Sequence, residues 1–127
     1  FDSMKESTQK LESENKNSLV TNIMEIIASN YMNPDLNVSM IAGLLDKNLD
    51  YVSRTFKKST GLGILECIQD HRIGKAKSFL EENPNLTIQQ VSSMVGYVNC
   101  ESFIRIFKQK QGVTPGRYKT TLKKKNL

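Results

Sequence analysis

This sequence predicts an all-α fold of about seven helices, and three observations predict it. Apolar residues recur at three- and four-residue spacing in several segments, as on helices with one buried face. No segment alternates apolar and polar residues well enough to be a strand. A twelve-residue pattern also occurs twice, as DYVSRTFKKSTG from Asp50 to Gly61 and as ESFIRIFKQKQG from Glu101 to Gly112. Each copy ends on glycine, the residue that most often terminates a helix.

The elements follow in chain order. Residues 1–16 are polar and mix acids with lysines, so they are expected to be a linker from an upstream region. From residue 17 a helix places Leu19, Ile23, Ile26, Ile27 and Tyr31 on one face, and Pro34 stops it. Asn37 caps a short helix with Met40, Ile41, Leu44 and Leu45 as its candidates for burial. Asn48 caps the first copy of the repeated pattern, so a first helix-turn-helix covers about 38–61. A central helix follows over about 63–82, with Leu65, Ile68, Arg72, Ile73, Ala76, Phe79 and Leu80 at helical spacing, and ENPN ends it.

Thr87 and Gln90 then form a capping box, and that helix runs through Val91 to Val95. Gly96 turns the chain and Asn99 caps the second copy, giving a second helix-turn-helix over about 87–112. Thr114-Pro115 opens a last short helix, since proline suits the first helical position. The bihelical domain is thus expected over 17–122, with 123–127 a basic, solvated tail.

At 127 residues the chain has room for one domain, or two small subdomains sharing a core. Its 38% hydrophobic and 24% charged residues are ordinary for a globular protein. The net charge of +5 suits a polyanionic partner, and from Ser102 to Leu127 there are eight Lys/Arg and no Asp/Glu. No apolar run is long enough to span a bilayer and no secretory signal pattern is present, so no membrane contact is expected and the cytoplasm is the expected compartment. A chain that opens on Phe1 is expected to be part of something longer. Cys67 and Cys100 lack CxxC spacing and a histidine partner, so they read as reduced thiols without a metal. His71 stands apart from any nucleophile pattern and reads as a surface or interface residue, Arg72 as structural, and the methionines mostly as core filler. With no catalytic constellation, Gly-rich phosphate loop or metal spacing, neither an enzyme nor a cofactor is expected.

The doubled unit is a short helix, a tight turn and a second helix, with Ile41-Ala42 matched by Val91-Ser92. That is the layout in which the second helix enters a DNA major groove. The pairs Val52/Phe56 and Phe103/Phe107 point to the core. The opposite side carries Asp50, Arg54 and Lys57 in one copy and Glu101, Arg105 and Lys108 in the other, with Ser53 and Ile104 on the flank. Arg can donate to guanine O6 and N7, and Asp or Glu can accept from cytosine N4. Lys57 and Lys108 lie a turn further on and suit phosphates, with Lys58 and Lys110 as further candidates. The competing account of Asp50–Arg54 and Glu101–Arg105 is an i,i+4 ion pair on an exposed helix. A central helix of about twenty residues would be roughly 30 Å long, against about 34 Å between successive major-groove faces. One chain would then hold two different readers in adjacent grooves. The alternative is a helical protein–protein interaction module without direct DNA readout.

The sequence resembles the DNA-binding domain of the AraC/XylS family of bacterial transcription regulators over about Leu19 to Leu122. The resemblance is carried by IAGLL, VSRTFKKSTG, RIGKAKSFL and GYVNCESFIRIFKQKQGVTPGRY. It implies two helix-turn-helix units joined by a long helix, sequence-specific promoter binding, and activation through contact with RNA polymerase. By motif position, base contacts would fall to Asp50, Ser53 and Arg54, and to Cys100, Glu101, Ile104 and Arg105. It also implies a larger regulator with an upstream ligand-binding domain, receiver or membrane sensor. Asp46 stands where the second unit has Gly96, so the first turn is expected to be less tight. Ile104 cannot hydrogen-bond a base, and Cys100 is a weak reader.

Overall fold

The computed structural model describes residues 17–125, and the regular structure among them is entirely α-helical. Helix α1 covers 17–30, followed by α2 (Val38–Leu44), α3 (Leu49–Thr60), α4 (Ile64–Glu82), α5 (Ile88–Met94), α6 (Cys100–Gln111) and α7 (Pro115–Lys125). The all-α expectation therefore holds. The expected linker, 1–16, and the last two residues of the expected tail lie outside the described residues. The start of that tail is corrected: α7 continues through Lys125. Lysines propagate a helix well and are favoured at its negative C-terminal end.

Local chemistry sets the helix starts. Asn37 Oδ1 accepts from Met40 N at 2.8 Å. Thr87 and Gln90 close their capping box with Gln90 N to Thr87 Oγ1 at 3.0 Å and Thr87 N to Gln90 Oε1 at 2.9 Å. Arg117 N donates to Thr114 Oγ1 at 3.2 Å, so Thr114 caps α7 just before Pro115. Each side chain satisfies a donor that the helix leaves unpaired.

The chain folds as two compact units. Among the described residues the first comprises 17–29 and 36–67, and the second 30–35 and 68–125. Buried side chains of the first unit are Leu19, Ile23 and Ile27 on α1, Leu36, Ile41 and Ala42 on and before α2, Val52 and Phe56 on α3, and Ile64 on α4. The second unit packs Ile73, Ala76 and Leu80 of α4, Val91 and Val95, and Phe103, Ile106 and Phe107 of α6 around Tyr31. Helix α7 closes this core, with the Tyr118 ring centroid 5.7 Å from that of Phe107. The Tyr118 hydroxyl also donates to Glu81 Oε1 on α4, and Lys119 Nζ donates to Leu86 O at 2.6 Å. Phe56, Phe103 and Phe107 are fully buried, the class of side chain whose truncation to alanine costs about 3–5 kcal/mol.

Three burial expectations are corrected. Leu44 is 61% exposed, because α2 has only two turns and buries the single stripe of Ile41 and Ala42 before the chain turns away. Leu65 is 57% exposed and Ile64 takes the core position, one helical turn before Ile68. Met24, Met32 and Met94 are exposed and Met40 half-buried, so these methionines do not fill the core, which is built from branched aliphatic and aromatic side chains.

The first turn is not looser than the second. Asp46 adopts a left-handed φ of 53°, with Asp46 N to Gly43 O at 3.1 Å and Lys47 N to Ala42 O at 3.0 Å. The matching bonds in the second unit are Gly96 N to Ser93 O at 3.2 Å and Tyr97 N to Ser92 O at 3.0 Å. Aspartate is among the few residues that tolerate this region, so one turn forms from either residue. Gly96 is needed for space as well. A Cβ there would lie 2.4 Å from Tyr31 O and 3.0 Å from Arg72 Nε.

Arg72 is structural, as expected, and its partners are backbone carbonyls. Its Nε donates to Tyr31 O and its Nη2 to Asn33 O, both at 2.8 Å, and its guanidinium lies 5.1 Å from the Tyr97 ring centroid. The repeat also proves longer than the paired helix-turn-helix motifs. NPDLNV (33–38) and NPNLTI (83–88) form the same loop, with Asn33 Oδ1 accepting from Asp35 N at 2.9 Å and Asn83 Oδ1 from Asn85 N at 3.2 Å. Helices α1–α2–α3 therefore match α4–α5–α6.

Candidate nucleic-acid interface

Helices α3 and α6 are built alike from end to end. Asn48 Oδ1 accepts from Asp50 N at 2.9 Å and Tyr51 N at 3.3 Å. Asn99 Oδ1 accepts from Glu101 N and Ser102 N at the same two distances. Gly61 and Gly112 end the helices at φ 80°, donating to Lys57 O and Lys108 O at 2.8 Å. Each helix carries an acid in its first turn and lysines in its last, complementing the helix dipole. Val52/Phe56 and Phe103/Phe107 anchor each helix by its inner face. What remains outward is fixed by those anchors.

On α3, Asp50, Arg54, Lys57 and Lys58 are exposed and Ser53 is half-buried. On α6, Glu101, Ile104, Arg105 and Lys108 are exposed, and Cys100 is half-buried in the first turn. The competing i,i+4 ion pairs are not formed. Among the described residues the only salt bridge joins Lys110 Nζ to Asp70 Oδ1 at 2.9 Å. Arg54 instead donates through Nε to the backbone carbonyl of Asp50 at 3.3 Å, which leaves the outer edge of its guanidinium open. Lys110 differs from the other phosphate candidates because Asp70 on α4 already holds it. Groups of acids, histidines and cysteines able to hold a metal are absent among the described residues. No helix among them is long and apolar enough to cross a membrane.

Sequence reasoning passed over one residue here. Tyr51 is 44% exposed and lines a surface groove with Arg54, Thr55, Lys58 and Ser59. Helical geometry could have found it, since Tyr51 and Lys58 are two turns apart and fall within about 20° of each other around the helix. Its matched residue on α6, Ser102, is half-buried.

The sequence profile of the helix-turn-helix domain matches residues 41–121. This chain belongs to that family, in its AraC/XylS branch. The relatives it matches are named as transcriptional regulators. The chain is 35% identical over 98 residues to YtdP, an uncharacterised helix-turn-helix-type transcriptional regulator of Bacillus subtilis (strain 168), covering 77% of this chain and 12% of YtdP. It is 35% identical over 100 residues to the Msm operon regulatory protein of Streptococcus mutans, covering 79% of this chain and 35% of that regulator. The chain thus spans about a tenth and a third of these two proteins. The solved C-terminal domain of AraT, a response regulator from Geobacillus stearothermophilus, superposes with a TM-score of 0.79 at 27% identity, over 81% of this chain and 84% of that one.

Proposed function

We propose that this domain, over residues 17–122, reads a specific double-stranded DNA site by placing α3 and α6 in adjacent major grooves. It does so as the output end of a bacterial regulator that activates its promoter in the cytoplasm, at the nucleoid. Base contacts fall to Asp50, Ser53 and Arg54 from the first unit and to Cys100, Glu101, Ile104 and Arg105 from the second. Lys57, Lys58 and Lys108 hold phosphates, and Lys110 joins them on leaving Asp70. Residues 1–16 link the domain to an upstream sensor or receiver domain, and RNA polymerase is the second partner. The domain performs no chemistry on its DNA.

One observation carries this reading. Two helices with the same caps each present an arginine that no carboxylate among the described residues engages, one turn before a lysine. An arginine free at both Nη atoms can make the bidentate contact that identifies guanine. Selection of bound sites from a random pool should return one sequence, and binding to it should weaken steeply as salt rises. On that site Arg54→Ala should cost about 1–3 kcal/mol and relax preference at one base pair. Equal loss on every sequence would make Arg54 a phosphate contact. Salt-insensitive binding, or no preference over random DNA, would favour the protein-interaction alternative.

A further inference from the structure

We infer that Tyr51 and Lys58 form a second line of contact along α3, holding backbone phosphate at the wall of the groove whose bases Arg54 reads, and that α6 has no such line. This rests on the DNA-binding reading above. Tyr51 is 44% exposed, and its hydroxyl has no hydrogen-bond partner among the described residues. It shares one surface groove with Arg54, Thr55, Lys58 and Ser59, which contains no acid. Tyr51 and Lys58 stack two turns apart on a single stripe, about 40–60° around the helix from Arg54. A side chain offset from the base-reading edge in this way meets the groove wall, where the phosphates are. The tyrosine hydroxyl supplies a neutral donor and the lysine a point charge.

The corresponding flank of α6 is narrower and carries no cation, although Gln109 is exposed. Ser102 is half-buried, Ile106 is 9% exposed in the core of the second unit, and Gln109 replaces Lys58. Lys110 is drawn to Asp70 on α4. In the first repeat the residue matching Asp70 is Val20, and the residue matching Lys110 is Ser59, so no ion pair covers α3 in the same way. The two recognition helices share a frame, yet one offers a wider polar face than the other.

The test uses Tyr51→Phe, which keeps the ring and deletes only the donor at an exposed site, with Lys58→Ala and Ser102→Ala beside it. A neutral phosphate donor lost should weaken binding about tenfold, on the selected site and on random DNA alike, with the slope of log K against log salt unchanged. Lys58→Ala should flatten that slope by about one. Ser102→Ala should bind as the wild type does. Wild-type affinity in Tyr51→Phe would overturn the inference, and so would a loss confined to one base pair, which would make Tyr51 a base reader. If the unaltered domain shows no salt-dependent DNA binding, the DNA reading itself fails.

Discussion

Single side chains in this domain do work that their neighbours in sequence do not announce. Arg72 donates to two carbonyls of the α1–α2 loop and rests on Tyr97, so its buried charge is met by two backbone acceptors and an aromatic face. His71 is less well served. Its ring lies 5.0 Å from that of Tyr31, and its Nε2 is buried without a hydrogen-bond partner among the described residues. Burial first, and then Lys75, hold its ionisation below the ordinary histidine value. The folded domain therefore resists a proton that the unfolded chain takes up below about pH 6.5. This contribution to stability is full above that pH and is lost as pH falls towards the folded value. The Tm should drop between about pH 7.5 and pH 5, and less so in His71→Phe, which keeps the ring contact and cannot titrate. Equal drops in both proteins would exclude His71 as the cause. Tyr118 shows the opposite shift. Burial and its hydrogen bond to Glu81 push its hydroxyl up to about 12, so it remains a donor at neutral pH.

The turn between the helices of each unit is the element where the two copies diverge most usefully. Both pass through a left-handed residue, but Asp46 carries a side chain there and Gly96 cannot. Gly112→Ala meets open space and carries only the left-handed penalty, about 1–2 kcal/mol. Gly96→Ala meets backbone at 2.4 Å as well, so its loss should be larger than that of Gly112→Ala by more than about 1 kcal/mol. Urea denaturation of the two variants checks this, and equal losses would show that the α1–α2 loop yields. Caps, C-terminal glycines and the aromatic anchors of α3 and α6 were all legible in the sequence, because each depends on residues within a turn or two. Leu44 and Leu65 were misjudged because an apolar residue at helical spacing is buried only if another element covers it.

Across the whole molecule, two non-identical heads on one chain predict a site without two-fold symmetry. Ser53 is matched by Ile104 and Tyr51 by Ser102, so the half-sites should differ in sequence and in the extent of backbone protection. Exchanging the order of the two half-sites should lower affinity at least about tenfold in a titration. An unchanged Kd would mean that one head supplies the specificity alone. The AraC/XylS resemblance was legible because its motif spans the second helix-turn-helix nearly unbroken, and the family match over 41–121 agrees with it. The earlier loop repeat, NPDLNV and NPNLTI, was passed over although it is equally local.

By itself the sequence determined that this chain is helical, where most helices begin and end, that the helix-turn-helix unit is doubled, and which arginines and lysines face away from the aromatic anchors. Those features follow from caps, spacing and side-chain type, which act over a few residues. The tertiary structure alone decided which outward faces stay open. Asp70 reaches Lys110 on another helix, Ile106 is drawn into a core that its counterpart Thr55 does not enter, and Arg72 finds its carbonyls 39 and 41 positions away. Exposure and pairing depend on what the fold brings alongside, so the repeated helix DYVSRTFKKSTG keeps a polar flank that ESFIRIFKQKQG has spent on packing.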